Sequence, residues 1–228
     1  MQRMTGYMAG LLAACFIFSS QSQAGGVALG ATRIVYPSDS KQVSLPVTNS
    51  DGQNFFLINS WIEDEKGTKS THFVITPPLF VIKSGKENTL RIIHSGPALP
   101  QDRETLYWLN VKAIPAVDKD KKNGNTLQLA ITSRIKLFYR PGGLAQGADS
   151  AVDSITLNRQ GNELIFKNPT PYYISLVNLR AGTRMLPNTT LAPLQSTSLT
   201  LPAGAGNEIG YRNINDYGSV SAEKTLTL

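Results

Sequence analysis

Residues that could carry enzyme chemistry are few and scattered in this sequence. His72 and His94 are its only histidines, and each lies in or beside a predicted strand. Asp102 and Glu104 are paired carboxylates, but they stand two residues apart on a predicted loop or strand start, which favours a structural role over acid–base catalysis. The sequence contains no HExxH, GxSxG or P-loop pattern. This inventory predicts a protein that is not an enzyme and that binds no metal or cofactor.

The single cysteine, Cys15, belongs to a segment that is typical of a secretory signal peptide. Residues 1–24 carry a basic residue, Arg3, near the start, continue with an apolar run and end in a polar stretch that carries the small residues Ser22 and Ala24. Cleavage before Gly25 would remove Cys15, and with it any disulfide, thiolate metal site or thiol catalyst. The alternative is a lipoprotein signal, because Leu-Ala-Ala-Cys resembles a lipobox, although the apolar run continues past the cysteine. No later segment is long and apolar enough to span a membrane, so we expect a soluble periplasmic protein.

The formal net charge of +6 raises the question of an acidic partner such as nucleic acid or an anionic membrane. The positive residues are scattered, apart from one short run at Lys119, Lys121 and Lys122. No basic helix and no recognisable RNA-binding motif accompanies them. The sequence therefore predicts no nucleic-acid partner.

The pattern after residue 25 is that of an all-β protein. Short apolar segments are separated by turn signals such as Pro-Ser-Asp and Asn-Ser-Asp-Gly, and the first half shows no helical periodicity. The strands predicted there are 28–36, 43–48, 55–63, 73–76, 88–94 and 106–114, followed by a longer one at 125–141. This number of short strands in such a length indicates an immunoglobulin-like sandwich.

A glycine-containing stretch at 141–147 is the best candidate for a domain boundary. The second half repeats the same style, with predicted strands at 154–158, 163–167, 173–180, 196–201, 208–213 and 219–228. We therefore predict two β-sandwich domains, at 25–143 and 148–228. A strand in each half ends at an asparagine turn, at Asn49 and Asn168, but this parallel is too weak to be called a repeat.

The predicted strand 125–141 has two unlike halves. In the first half, Leu127, Leu129 and Ile131 fall on one face at the two-residue spacing of a strand. The second half mixes positive residues with large apolar ones. From this pattern alone, the three apolar side chains are expected to face the core of their own domain.

Several segments resemble the PapD-like periplasmic chaperones of pilus assembly, especially those of type 1 pili. They are GVALGATRIVYP (26–37), TPPLF (76–80), KENTLRI (86–92), LPQDRETLYWLNVKAIP (99–115), NTLQLAITSRIKLFYRP (125–141), NPTPYY (168–173) and INDYG (214–218). The resemblance covers essentially the whole mature chain. It implies two immunoglobulin-like domains set at an angle, with a cleft between them. It also implies a function, which is to bind pilus subunits by donor-strand complementation and to deliver them to an outer-membrane usher.

The resemblance also implies roles for individual residues. Arg33 and Lys136 match the pair that holds the subunit's C-terminal carboxylate, and Leu127, Leu129 and Ile131 match the residues that fill the subunit's groove. Lys136 has the opposite strand parity to the three apolar residues. Either the strand bulges between Ile131 and Lys136, or the two groups approach the subunit from different sides.

A second group of charges matches family residues that form an ion network between the domains. Glu104 and Asp216 come from different halves, and Arg140 lies beside the linker, so the network would fix the angle of the cleft. The polar loop 116–125 is expected to be mobile and to become ordered when a subunit binds. In the family that the chain resembles, a loop this short implies a chaperone of rod-like pili.

Two other classes of protein stay open at this stage. A secreted structural pilus subunit or adhesin would usually show a disulfide pair and a donor segment near its mature N-terminus, and neither is obvious here. A sandwich hydrolase would need a nucleophile constellation, which is missing. Whether the free chaperone self-associates through its apolar strand is also left open.

Overall fold

The structure is a computed structural model that describes residues 25–116 and 127–228. The predicted signal peptide and, apart from Ala116, the predicted loop 116–125 lie outside these residues. None of the helices found in the two described ranges has the length and apolar character needed to cross a membrane.

Nine strands of the described residues form the first domain. They are β1 (Val27–Leu29), β2 (Arg33–Pro37), β3 (Val43–Asn49), β4 (Phe56–Asp64), β5 (Phe73–Thr76), β6 (Leu79–Ile82), β7 (Glu87–His94), β8 (Thr105–Pro115) and β9 (Ile131–Arg140). Two sheets result, in the orders β1-β3-β7-β5 and β2-β9-β8-β4-β6. Their pairings are antiparallel except that of β2 with β9, which is parallel. Side chains such as Val47, Ile58 and Leu90 fill the space between the sheets and are fully buried.

The single strand predicted at 28–36 is wrong, because the chain there passes from one sheet to the other. β1 pairs with β3, whereas β2 pairs with β9. At the crossing, the Gly30 amide donates to the Pro46 carbonyl at 2.9 Å. A Cβ atom on Gly30 would lie 3.1 Å from the Pro46 ring, a tight contact, so glycine suits the close approach of the two segments.

Eight strands of the described residues form the second domain. They are β10 (Thr156–Gln160), β11 (Glu163–Asn168), β12 (Ile174–Ala181), β13 (Arg184–Met185), β14 (Thr189–Leu191), β15 (Gln195–Thr200), β16 (Glu208–Ile214) and β17 (Lys224–Thr227). One sheet has the order β10-β11-β15, and the other has the order β13-β12-β16-β17 with β14 also paired to β12. Two short 3₁₀ turns, Gly142–Leu144 and Ala151–Ser154, precede them. The prediction of an all-β chain with two immunoglobulin-like sandwiches is confirmed.

The same local arrangement ends β3 and β11 in the two domains. Each strand finishes at an asparagine, Asn49 or Asn168, whose side chain is fully buried. The Asn168 amide donates to the carbonyls of Tyr172 and Ala192 at 2.8 and 3.0 Å, and Asn49 makes two such bonds at 2.8 and 3.1 Å. Each asparagine side chain therefore holds the backbone of a neighbouring loop in place through two carbonyl oxygens.

Replacing Asn168 by alanine should lower the free energy of unfolding by about 2–4 kcal/mol, since it leaves buried carbonyls unpaired. The matched control is Asn158→Ala on β10, an exposed position, which should change stability by less than about 0.5 kcal/mol. Urea denaturation followed by circular dichroism measures both. Equal effects of the two substitutions would contradict the proposed role of Asn168.

Candidate functional site

Strand β9 presents two faces with different surroundings. Its register with β8 is continuous from Ile131, opposite Ala113, to Tyr139, opposite Thr105. The pairing with β8 therefore contains no bulge. Because side chains alternate along a strand, Ile131 and Lys136 project from opposite faces, which is the second of the two arrangements that the sequence left open.

One face of β9 belongs to the first domain's core, where Leu137 and Tyr139 are buried and Ile135 packs against them. The other face meets the second domain. There the Phe138 ring lies 5.7 Å from the ring of Tyr173. The same strand thus contributes to a hydrophobic core and to the surface between the domains.

Arg33 and Lys136 are direct partners in the parallel pairing of β2 with β9. Both side chains reach across to the second domain. Arg33 Nη1 donates to the Ile214 carbonyl at 3.0 Å, while Lys136 Nζ donates to Ser175 Oγ at 2.8 Å and to Thr190 Oγ1 at 2.5 Å. The two cations predicted to form an anchor therefore stand side by side in the cleft.

The cleft beside this pair is an open cavity of about 230 Å³, with Trp108 among its lining residues. Burial, together with the neighbouring Arg33 charge, lowers the pKa of Lys136 to about 8. Burial also lowers the pKa of Arg33, an effect that the Asp216 charge opposes. In the part of the chain that the structure describes, Arg33 Nε is buried without a hydrogen-bond partner. A site of this kind favours an anion that can accept from both side chains.

Strand β9 has an open edge over half of its length. β2 pairs with it only from Lys136 to Arg140. From Ile131 to Ile135, β9 pairs with β8 alone, and no other strand of residues 25–116 or 127–228 covers its second edge. Unpaired N–H and C=O groups on such an edge can accept an added strand.

The three donor residues, which were predicted to fill the subunit's groove, lie next to this open edge. Leu127 and Leu129 precede the edge, and Ile131 begins it. Leu127, Leu129 and Ile131 are 82%, 67% and 69% exposed, so the expectation drawn from the pattern alone, that they pack in their own core, is wrong. Beside them is a slot of about 170 Å³ between the two sheets of the first domain. Its lining includes the apolar residues Val27, Leu29, Phe56, Val111 and Ala113.

The long strand predicted at 125–141 begins too early, because β9 starts only at Ile131. The described residues 127–130 lie opposite the very end of β8, which finishes at Pro115. Proline offers no amide to a neighbouring strand. The Pro115 carbonyl instead accepts from the Gln128 side chain at 2.5 Å.

The three charges predicted to form an ion network are brought together beside the linker. Arg140 Nε donates to Glu104 at 2.6 Å, and its two terminal nitrogens donate to Asp216 at 2.6 and 2.9 Å. The second Glu104 oxygen accepts from the Tyr173 amide at 2.7 Å. Because Asp216 and Tyr173 belong to the second domain, the group spans both domains.

Burial alone shifts the pKa of Glu104 and the pKa of Arg140 in opposite directions. It raises the pKa of Glu104, and the Arg140 charge only partly offsets that effect. For Arg140, burial alone would lower the pKa, but the hydrogen bonds and charges of Asp216 and Glu104 outweigh it and raise the pKa. The guanidinium therefore stays charged in an almost fully buried position because two carboxylates surround it.

The histidines lie elsewhere in the first domain. His72 and His94 stack 6.4 Å apart in a cluster of aromatic rings that includes Phe73 and Tyr107. Burial, followed by the charge of His72, lowers the pKa of His94. The described residues contain no group of three or more side chains arranged to hold a metal ion.

Sequence reasoning missed three participants in the cleft, namely Ser175, Thr190 and Ile214. Two contribute a hydroxyl and the third a backbone carbonyl. No local motif identifies them, because only the docking of the second domain brings them to Lys136 and Arg33.

Each of the two domains matches a known protein family. Residues 26–145 match the family described as pili and flagellar-assembly chaperone, PapD N-terminal domain. Residues 150–225 match pili assembly chaperone PapD, C-terminal domain. The chain belongs to the PapD family of pilus-assembly chaperones. The expected resemblance is therefore confirmed.

Relatives and solved structures agree with this membership. The chaperone protein FimC of Escherichia coli K12 is 50% identical over 220 residues, which is 94% of this chain and 91% of FimC. The crystal structure of the periplasmic chaperone SfaE matches with a TM-score of 0.78 at 46% identity, covering 89% of this chain and 100% of SfaE. The Salmonella enterica SafB chaperone, solved in complex with SafA pilin, gives 0.82 at 29% identity over 89% and 96% of the chains. These relatives favour a chaperone over a structural subunit or adhesin.

Removal of Arg140 should be strongly destabilising. Arg140→Ala leaves Glu104 buried without its counter-charge, so we expect the free energy of unfolding to fall by about 3–5 kcal/mol. As a control, Arg180→Ala removes more exposed ion pairs with Glu208 and Glu223 and should lower the free energy of unfolding much less, because solvent screens exposed pairs. Urea denaturation measures both variants. An unchanged midpoint for Arg140→Ala would contradict a structural role for the network.

Proposed function

We propose that this chaperone binds pilus subunits by donating part of β9 to a subunit's incomplete sandwich, while the cleft holds the subunit's C-terminal carboxylate. The observation that carries the proposal is the position of the Arg33–Lys136 pair, which stands where the open edge of β9 ends. An added strand can pair with β9 only as far as Ile135, because β2 occupies the edge from Lys136 onward. The end of that strand would therefore meet the two cations.

This geometry also favours one direction for the added strand. β2 runs parallel to β9 and begins at Arg33, beside Lys136. A strand whose carboxyl end meets this point must run toward the start of β2, in the same direction as β9. An antiparallel strand would instead bring its amino-terminal end, which carries no carboxylate, to the two cations. We therefore infer parallel pairing between the subunit strand and β9.

The apolar residues of the donor segment would enter the subunit's core. Ile131 shares the face of β9 that packs in the chaperone's own core at Ile135 and Leu137, and Leu127 and Leu129 continue the same parity. Extension of β9 over residues 127–130 would then lay the three side chains along the subunit's groove. Their burial would contribute roughly 5–9 kcal/mol before ordering costs, at about 1.5–3 kcal/mol each.

The carboxylate anchor would fix the register of this pairing. A slip of one residue turns every donor side chain to the wrong face, so a strand of alternating residues needs a fixed end. Arg33 supplies a planar fork of donors and Lys136 a compact charge. Each charged hydrogen bond would contribute about 1.5–3 kcal/mol.

The wider setting of this activity is proposed on sequence grounds. The composition of residues 1–24 supports export to the periplasm with cleavage before Gly25. The glycine-containing stretch 141–147 supports domains at 25–143 and 148–228. Membership of the chaperone family supports delivery to an outer-membrane usher, and the lack of a catalytic motif in the sequence supports a role without catalytic activity. The exposed donor residues and the open edge also support self-association of the free chaperone.

Co-purification followed by mass spectrometry tests the function as a whole. We expect stable one-to-one complexes between the chaperone and small exported subunits. Recovery of the chaperone without subunits from cells that express them would contradict the proposal. Mass analysis of the same sample also reports whether the chain begins at Gly25.

Leu129→Asn should separate subunit binding from stability. Leu129 is exposed in the free protein, so the free energy of unfolding should change by less than about 0.5 kcal/mol. Loss of its burial in the complex should weaken subunit binding by about tenfold to a hundredfold. The control Leu226→Asn, at an exposed position on β17, should leave binding unchanged. Equal affinities of the two variants would refute the donor role.

Subunit affinity should decrease as the pH rises from 7 to 9. The pKa of Lys136 in the free cleft is about 8, and a bound carboxylate would raise it, so binding above pH 8 requires proton uptake. The loss should approach about tenfold per pH unit above that value. Lys136→Arg keeps its charge and should flatten the profile. Titrations across this range measure the slopes, and parallel slopes for both proteins would show that Lys136 is not responsible.

A further inference from the structure

Two hydroxyl groups of the second domain hold the Lys136 ammonium in the free protein. Ser175 on β12 and Thr190 on β14 are opposite each other in the antiparallel pairing of those strands. Their oxygens lie 2.8 and 2.5 Å from Lys136 Nζ. Ser175 is buried, so this hydroxyl pair forms a defined wall of the cleft.

The number of donors on the ammonium group determines what this pair can do. A charged lysine has three N–H donors and no acceptor, so both hydroxyl oxygens must accept. Two donors are used in this way, and the third is left for a ligand. Hydrogen bonds to the charged form of a group favour that form. The hydroxyl pair therefore opposes burial and the Arg33 charge, which together lower the pKa of Lys136.

We propose that Ser175 and Thr190 are positioning residues that keep the Lys136 ammonium charged and direct its third N–H toward the main-chain carboxylate of a bound subunit. This inference rests on the proposed function, because it concerns the same anchor. It assigns the second domain a part in carboxylate binding that acts through Lys136.

The alternative is that the two hydrogen bonds only fasten the domains together. A fastening role would affect the melting temperature but not the protonation of Lys136. The pH at which carboxylate binding is lost distinguishes the two roles, because it follows the pKa of the ammonium group.

The experiment uses the whole chaperone and a fluorescent peptide of alternating valine and threonine that ends in a free carboxylate. Thr190→Val removes the hydroxyl and keeps the branched shape, whereas Thr190→Ser keeps the hydroxyl. Thr200→Val is the matched control, since it removes an exposed threonine hydroxyl that bonds to Glu163 at 2.7 Å on the domain's other sheet. The peptide with an amidated end reports binding that does not involve the carboxylate.

We expect Thr190→Val to bind the carboxylate peptide about tenfold more weakly at pH 7.5. The midpoint of its pH profile should fall by about one unit. Thr190→Ser and Thr200→Val should behave as the unmodified protein does. Ser175→Ala should shift the midpoint in the same direction as Thr190→Val, which provides a second variant should the first fold poorly.

Three results would overturn the inference. An unchanged midpoint of the pH profile in both Thr190→Val and Ser175→Ala would show that the hydroxyl pair only holds the two domains together. Tighter binding in either variant would show that the hydroxyls compete with the carboxylate. Equal binding of the free and amidated peptides by the unmodified protein would refute the carboxylate anchor itself, and this outcome separates failure of the proposed function from failure of the positioning role.

Discussion

The parallel pairing of β2 with the second half of β9 is the interaction on which the rest of the structure depends. It closes the sheet of the first domain from Lys136 onward and leaves the edge open before that point. It also sets Arg33 directly beside Lys136. The pairing exists because the chain leaves the opposite sheet at Gly30, where the backbone packs closely against Pro46. One crossing between sheets therefore determines both the length of the open edge and the place of the two cations.

Strand β9 contributes both to the core and to the contact with the second domain because its side chains alternate between two faces, without any irregularity in the strand. Its uninterrupted register with β8 sends Ile135 and Leu137 to the core and sends Lys136 and Arg140 to the second domain. This alternation explains why Lys136 has the opposite strand parity to Leu127, Leu129 and Ile131. Leu127 and Leu129 precede the strand and have the same parity as its core-facing residues, but they are exposed beyond the end of the sandwich. A partner that lies along the open edge would meet that face and the anchor together, without any distortion of the strand.

Prediction from the sequence succeeded where the signal was local. The strand at Phe73–Thr76 was predicted with its observed bounds, since this short apolar segment ends at two consecutive prolines. The short edge strands β6, β13 and β14 were missed because two to four residues carry too little periodicity. The crossing at Gly30 was missed because apolar residues lie on both sides of it, at 27–29 and at 34–36. In the cleft, Arg33 and Lys136 lie in recognisable segments, whereas Thr190 lies in a three-residue strand that only tertiary packing brings to the site.

Two buried or half-buried cationic groups lie along the surface between the domains, and their contrast indicates what each is for. Arg140 is surrounded by the carboxylates of Glu104 and Asp216, so its charge is neutralised within the protein. Arg33 and Lys136 form no salt bridge among the described residues and contact only hydroxyl and carbonyl oxygens of the second domain. Burial lowers the pKa of both groups, and the Arg33 charge adds to the effect on Lys136. The first group is neutralised within the chain and fits a structural role, whereas the second presents two cationic side chains to an open cavity, a setting that would suit a bound anion.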